Sequence, residues 1–287
     1  MSEADTAPLP QVDPARAIEV IVAFIREQMD QAGFSRLVIG LSGGVDSGAV
    51  AFLAARAIGA ENLLAVRMPY RTSSEASETD AMRVVEALGC RTELVDITPM
   101  VEPMLALIRD DDPTALNVRR GNVMARQRMI VLYDRSAVED ALVIGTSNKT
   151  EGLLGYGTLH GDMAAALAPI GDLYKTQLRA VARELAVPDE VVSKPPSADL
   201  WPGQTDETEA GFSYPELDRL LFWRIDKRRS IDEMVALGFE RETVERVDRL
   251  VAGSEFKRQV PPIAKLGPRT AGIDYLYPRR RPGSARE

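Results

Sequence analysis

One cysteine and one histidine stand in a chain of 287 residues, and each scarcity removes a class of chemistry. With Cys90 alone there is no intramolecular disulfide and no thiolate cluster for a metal, which fits a reducing compartment. Cys90 lies between Gly89 and a strand expected at 92–96, and reads as a small core residue. His160 is the only imidazole, and a lone histidine is more often structural than catalytic. No apolar stretch follows the acidic start Ser2-Glu3-Ala4-Asp5, so neither a signal peptide nor a spanning helix is expected and the chain reads as soluble and cytoplasmic. Basic charge is also short. A formal net charge of −8 argues against broad nucleic-acid binding and leaves any anionic substrate to locally placed cations and backbone N–H groups. At 45% hydrophobic the chain can bury the core of one large domain without covalent staples.

Against these absences, Leu37-Val38-Ile39-Gly40-Leu41-Ser42-Gly43-Gly44-Val45-Asp46-Ser47-Gly48-Ala49-Val50 is an apolar strand running through a small, hydroxyl-rich turn into a helix. That is the construction of a phosphate cradle. Gly43 and Gly44 allow close approach of backbone to an anion, and Ser42, Ser47 and the first helical N–H groups can donate to phosphate oxygens. No lysine completes G-x-x-x-x-G-K-[ST], so this is not the common γ-phosphate loop. Asp46 beside polyphosphate would be repelled unless it met the phosphates through a divalent cation, and Mg²⁺ is the expected one.

Asp13-Pro14 predicts a helix start, with Ile18, Ile21, Val22 and Ile25 on one buried face through about Met29. Alternation follows: strand 37–41, helix 47–58, strand 63–68, helix 75–88, strand 92–96, a helical stretch over 117–137 and a strand at 141–145. Elements of these lengths predict an α/β fold, a mostly parallel, doubly wound sheet with its site at the strands' carboxyl ends. Gly152, Gly155, Gly157 and Gly161 mark an irregular segment expected to wrap that site, followed by a helix at 175–186. Lys194 through Gly211 reads as a long loop of the kind used as lids. Helices at 214–224, 230–237 and 240–252 are expected to form a C-terminal cap, and the basic run Arg279-Arg280-Arg281 a solvated tail.

Three further segments carry chemistry. In Asn122-Val123-Met124-Ala125-Arg126, Asn122 and Arg126 share a helix face, and such an arginine can grip a phosphate or carboxylate, although spacing alone favours an ordinary surface arginine. Thr146-Ser147-Asn148-Lys149-Thr150-Glu151 follows a strand, which puts Thr146 near the nucleotide crevice and lets Glu151 be either a second metal carboxylate or a helix cap. Lys175 opens a helix, where the dipole gives a cation nothing, so an anion is expected beside it.

The Ser-Gly-Gly-x-Asp-Ser turn resembles the pyrophosphate loop of N-type ATP pyrophosphatases, and the blocks from about residue 13 to 266 resemble ammonia-dependent NAD synthetase in the expected order. The resemblance implies a Rossmann-like, adenine-nucleotide alpha-hydrolase-like fold with a helical C-terminal cap. It implies one synthetase domain over 13–266 with tails 1–12 and 267–287. The family adenylates the nicotinate carboxylate of deamido-NAD with ATP, and ammonia then gives NAD and AMP. By resemblance Gly40, Leu41, Ser42, Gly43, Gly44, Val45, Asp46 and Ser47 take the ATP phosphates, with Thr146, Lys175 and Ser197 as further ATP contacts. Asp46 and Lys175 would be the catalytic pair, Asp46 and Glu151 the Mg²⁺ ligands, and Arg126 and Lys257 the deamido-NAD contacts. A homodimer is implied as well.

Three positions depart from the family pattern: Phe256 replaces a histidine, Leu159 stands where many ammonia-dependent members have lysine, and Ala166 replaces an aspartate. Gly155 through Ala164 is closer to the synthetase domain of the glutamine-dependent branch. With no nucleophilic cysteine and no companion glutaminase domain, free ammonia is the expected nitrogen donor unless a separate glutaminase docks. The rival readings are an adenylating or sulfur-transferring enzyme with the same loop, disfavoured by the placement of Cys90, and a non-hydrolysing ATP sensor, which has less need of two carboxylates beside a lysine.

Overall fold

The computed structural model describes residues 8–9, 11–108, 113–195 and 212–270. Its sheet has four parallel strands, β1 (Arg36–Gly40), β2 (Leu63–Arg67), β3 (Arg91–Leu94) and β4 (Ala141–Ile144), in the order β3-β2-β1-β4. A single parallel bridge from Ile144 to Leu167 continues the sheet beyond β4. The strand expected at 92–96 closes earlier as a ladder, yet Val95 N donates to Arg67 O (2.9 Å) and Ile97 N to Pro69 O (3.0 Å), so the chain keeps following β2.

The period-2 alternation of β1 divides the interior. Leu37 and Ile39, both fully buried, face an apolar layer made by α1 (Pro14–Ala32), α2 (Val45–Ile58), α3 (Glu75–Leu88) and α7 (Lys175–Glu184). Val38 points the other way, against α4 (Thr98–Leu105) and α5 (Pro113–Glu139). Both faces are therefore covered, as parallel sheets require. The expected cap chemistry starts α1: Asp13 accepts from Arg16 N at 3.2 Å with Pro14 at the first helical position, and Gly33 ends the helix at φ +74°. Each fully buried Ile or Leu side chain on these faces contributes about 1.5–3 kcal/mol by area.

Three helices were not expected. α4 carries Pro103 in its interior, a residue that argues against a helix from sequence alone. The others are α6 (Lys149–Leu154) and α8 (Asp189–Ser193), which are only one or two turns long. Beyond residue 212 come α9 (Tyr214–Leu221), a π-helical turn at Phe222–Asp226, α10 (Ile231–Ala236) and α11 (Arg241–Gly253). They enclose an apolar cluster of their own, including Leu217, Leu220, Met234, Phe239, Val244 and Val247, into which Tyr174 reaches from the start of α7. The strand order reverses between β1 and β4, and the crevice at their carboxyl ends is where such sheets bind ligands. Among the described residues no helix is long and apolar enough to cross a membrane.

Candidate active site

The turn after β1 is held by its own serines. Ser47, 2% exposed, accepts from Ser42 N (3.2 Å) and donates to Gly44 O (3.1 Å), while the two hydroxyls lie 3.0 Å apart. Gly44 caps α2 without a side chain, so the first N–H groups of that helix face the crevice without a protein side-chain cap from it. Gly43 is required for a reason the sequence did not show. Its φ is +76°, and a methyl group there would sit 2.1 Å from the carbonyl oxygen of Ser77 in the first turn of α3. Helix packing and the positive φ by themselves already demand glycine at this position. Gly43→Ala is accordingly expected to destabilise the fold by about 1–3 kcal/mol; a chemical-denaturation midpoint equal to that of the parent chain would contradict the clash.

Beyond the turn, three charged groups converge from three elements. Asp46, in the first turn of α2, accepts from Asn148 Nδ2 through Oδ1 (2.7 Å) and pairs with the Lys175 ammonium through Oδ2. The same ammonium reaches Glu151 Oε1 at 3.2 Å. Lys175 is 2% exposed at the first position of α7, and the Tyr214 ring lies 5.2 Å from its Nζ. The anion expected beside it is this carboxylate pair.

Glu151 caps a helix and still has an oxygen turned toward the cluster. Its Oε2 accepts from Asn148 N (3.3 Å) while Asn148 Oδ1 accepts from Glu151 N (3.0 Å), a reciprocal capping box at the start of α6. Its other oxygen turns to Lys175. Burial, and then the neighbouring Asp46 charge, push the Glu151 carboxyl up to about 8, against the pull of Lys175 toward ionisation.

Thr146 lies half-buried just after β4, two residues ahead of Asn148 in the crevice wall. Arg126 and Lys257 are not part of the carboxylate cluster. The Arg126 guanidinium faces Leu159 O at 3.3–3.4 Å, its helix neighbour Asn122 accepts from Thr158 Oγ1 (2.8 Å), and Lys257 Nζ donates to Gly155 O (2.7 Å) and Gly157 O (2.8 Å). Both cations thus brace the glycine-rich turn through its carbonyls. His160 sits exposed on that turn at φ +60°. Cys90 is buried in the core, where burial raises its thiol. Ser197, residues 196–211 of the expected lid and the basic tail lie outside the described residues, whereas Lys194 at the start of that segment donates to Asp80 Oδ2 at 2.8 Å.

Several residues near the site escaped the sequence reading. Asn148-Lys149-Thr150-Glu151 carries a capping-box spacing that could have exposed Asn148. Asp226 accepts from Lys149 (2.9 Å) and from Tyr174 OH (3.1 Å). Asp218, fully buried on α9, accepts from Thr150 and Thr176; burial pushes its carboxyl above the usual range while those hydrogen bonds pull it back. Nothing local in the sequence singles out these two aspartates.

The chain matches the family described as NAD synthase over residues 17–261. The chain belongs to the NAD synthase family. Members of this family are ligases that form an amide C–N bond at the expense of ATP. The chain is 53% identical over 261 residues to the NH(3)-dependent NAD(+) synthetase of Chlorobium phaeobacteroides (strain BS1), spanning 91% of this chain and 93% of that one. Among solved structures, the NMN synthetase from Francisella tularensis aligns with a TM-score of 0.77 at 30% identity over 88% of this chain and 99% of that one. The glutamine-dependent NAD+ synthetase from Acinetobacter baumannii in complex with adenosine diphosphate aligns with a TM-score of 0.65 at 29% identity, covering 94% of this chain but 50% of the larger one. The NAD synthase fold is therefore the α/β sheet described above, with its crevice between β1 and β4.

Proposed function

We propose that this chain is an ammonia-using NAD synthetase whose adenylation centre is Asp46, Glu151 and Lys175. The observation that carries the assignment of residues is their convergence at the carboxyl ends of β1 and β4, beside the serine-laced turn. Gly40 through Ser47, with Thr146, Lys175 and Ser197, hold ATP. The oxygen pair suits Mg²⁺: two hard carboxylate oxygens already share one cation, and among the described residues no third acidic, histidine or cysteine ligand joins them. When bound, the metal supplies charge neutralisation along the triphosphate. Asp46 and Glu151 would hold it beside the triphosphate.

The chain's own contribution to the first step is positioning. The Ser42–Ser47 turn and the α2 N-terminus orient the triphosphate so that a nicotinate carboxylate oxygen approaches the α-phosphorus in line. As that bond forms, the bond from the α-phosphorus to the bridging oxygen breaks and pyrophosphate leaves. Lys175 meets the charge developing there. Ammonia nitrogen then attacks the acyl carbon, AMP departs and the amide loses a proton to solvent. No imidazole is needed.

Arg126 and Lys257 serve deamido-NAD, Lys257 through the turn it braces. Cys90, the only thiol in the 287 residues and a buried one, gives no nucleophile for glutamine, which supports free ammonia or a separately supplied glutaminase as donor. Val118, Ile130 and Tyr133 leave an exposed apolar edge along α5, which favours a homodimer. The enzyme works in the cytoplasm.

The likeness to an NMN synthetase favours a second reading, in which nicotinate mononucleotide is also amidated. One assay separates these. Purified chain with ATP and Mg²⁺ is given deamido-NAD or nicotinate mononucleotide, each with ammonium or glutamine, and pyrophosphate and amide product are measured. NAD formed from ammonium, with glutamine at least about a hundredfold less effective, is expected for an enzyme lacking a glutamine nucleophile. Comparable rates from both donors would overturn the donor assignment, and a faster mononucleotide reaction would favour the second reading.

A further inference from the structure

Glu151 and Lys175 must keep one separation if they are to serve a metal and a phosphate together, yet they open different helices. Glu151 stands in the first turn of α6 and Lys175 in that of α7, with the turn-rich 155–174 segment between. One backbone bond ties the helix starts, Lys149 N to Leu173 O at 2.9 Å. The next residue of each helix is tied by a third element. Asp218 Oδ1 accepts from Thr150 Oγ1 (2.6 Å), and its Oδ2 accepts from Thr176 N and Thr176 Oγ1 (both 2.8 Å). Thr150 Oγ1 in turn accepts from Lys175 N at 3.0 Å.

Asp218 and Thr150 are both fully buried, so this is a carboxylate placed at some cost inside the protein with hydroxyl and N–H donors on it rather than a cation. Its position is that of an N-cap for α7 delivered from another helix, where the dipole favours negative charge. Tyr214, one turn earlier on the same face of α9, puts its ring against the Lys175 ammonium. α9 therefore engages Lys175 twice, at the backbone through Thr150 and at the side chain through Tyr214.

We propose that Asp218 is a positioning residue for the adenylation centre: by bridging the first turns of α6 and α7 it sets the separation of Glu151 and Lys175. This rests on the assignment of those two residues to metal and phosphate. The charged form is needed because both oxygens accept. An asparagine retains the shape but presents an NH₂ group to one of the donors.

The test compares full-length parent chain, Asp218→Asn, Lys175→Met and the double variant, reading pyrophosphate release together with Mg²⁺-dependent ATP binding by calorimetry. Asp218→Asn is expected to lower kcat about thirtyfold and weaken Mg²⁺-dependent ATP binding about tenfold, with KM for ammonium within about twofold. In the Lys175→Met background the added Asp218→Asn is expected to change kcat by less than about twofold, because the group it positions is gone. Equal fold-losses in both backgrounds, or parental kcat in Asp218→Asn, would overturn the proposal. If Asp218→Asn does not fold, Thr176→Val and Thr176→Ser decide: a loss in the first restored by the second supports the bridge, and parental kcat in both overturns it. Parental activity in Lys175→Met would instead overturn the site assignment itself, and the proposal with it.

Discussion

Asp46→Asn is expected to lower pyrophosphate release at least about a thousandfold, since it removes one of two metal carboxylates at a step that runs on electrostatics. The side chain's shape survives and Asn148 can still donate to its oxygen, so the fold should not suffer. What changes is charge: Lys175 loses the Asp46 carboxylate as an anionic partner, and the metal would lose a ligand. Initial-rate pyrophosphate assays across a wide Mg²⁺ range check this. Recovery to parental rate at high Mg²⁺ would reduce Asp46 to an affinity contact, and parental kcat at ordinary Mg²⁺ would remove it from the centre.

Lys175→Met is expected to cost about a hundred- to a thousandfold in kcat, with a shifted pH dependence as its signature. In the parent chain, burial and the Asp46 charge push the Glu151 carboxyl up to about 8, so below that pH metal binding is expected to displace its proton. Apparent Mg²⁺ affinity should therefore rise with pH and level off above about 8. Lys175 is the cation that favours ionised Glu151, so removing it should move the plateau to higher pH. The effect on stability has the opposite direction. A carboxyl raised from its usual 4.5 binds more protons folded than unfolded between 4.5 and about 8, so its contribution declines as pH climbs through that window. Calorimetric Mg²⁺ titrations at several pH values, in buffers of different ionisation enthalpy, count the displaced proton. Flat affinity between pH 6 and 8 would contradict the protonated Glu151.

How much of this was legible beforehand follows from the range of each interaction. The strand, turn and helix around Ser42–Ser47 are contiguous, and their signals, an apolar run, paired glycines and hydroxyls, are local. Asp46, Glu151 and Lys175 could each be suspected for a local oddity: an acid at an anion cradle, an acid one turn past a strand, a lysine at the wrong helix end. Their meeting could not be seen that way, because the Asp46–Lys175 contact closes across most of the fold. Asp218 and Asp226 are mid-segment aspartates on an ordinary amphipathic stretch, and only the folded cap brings them to Thr150 and Lys149. The same limit hid Ser77 behind Gly43. Arg126 and Lys257 were read as substrate cations, while their protein partners are carbonyls of the turn between them, a role invisible without the loop's path.

The cap keeps an apolar cluster separate from the two that sandwich the sheet, and it is this cluster, with fewer buried residues than the one on α1, α2 and α7, that supports the α9 helix. Regions with fewer buried contacts open at lower free energy than the main core. Loss of activity on warming is therefore expected to follow the cap's own interior: a loosened cap would release the grip on Lys149, Thr150 and Thr176 while the strands stay paired. A preparation could lose its chemistry on warming with its far-ultraviolet spectrum intact, and regain it on cooling without having refolded.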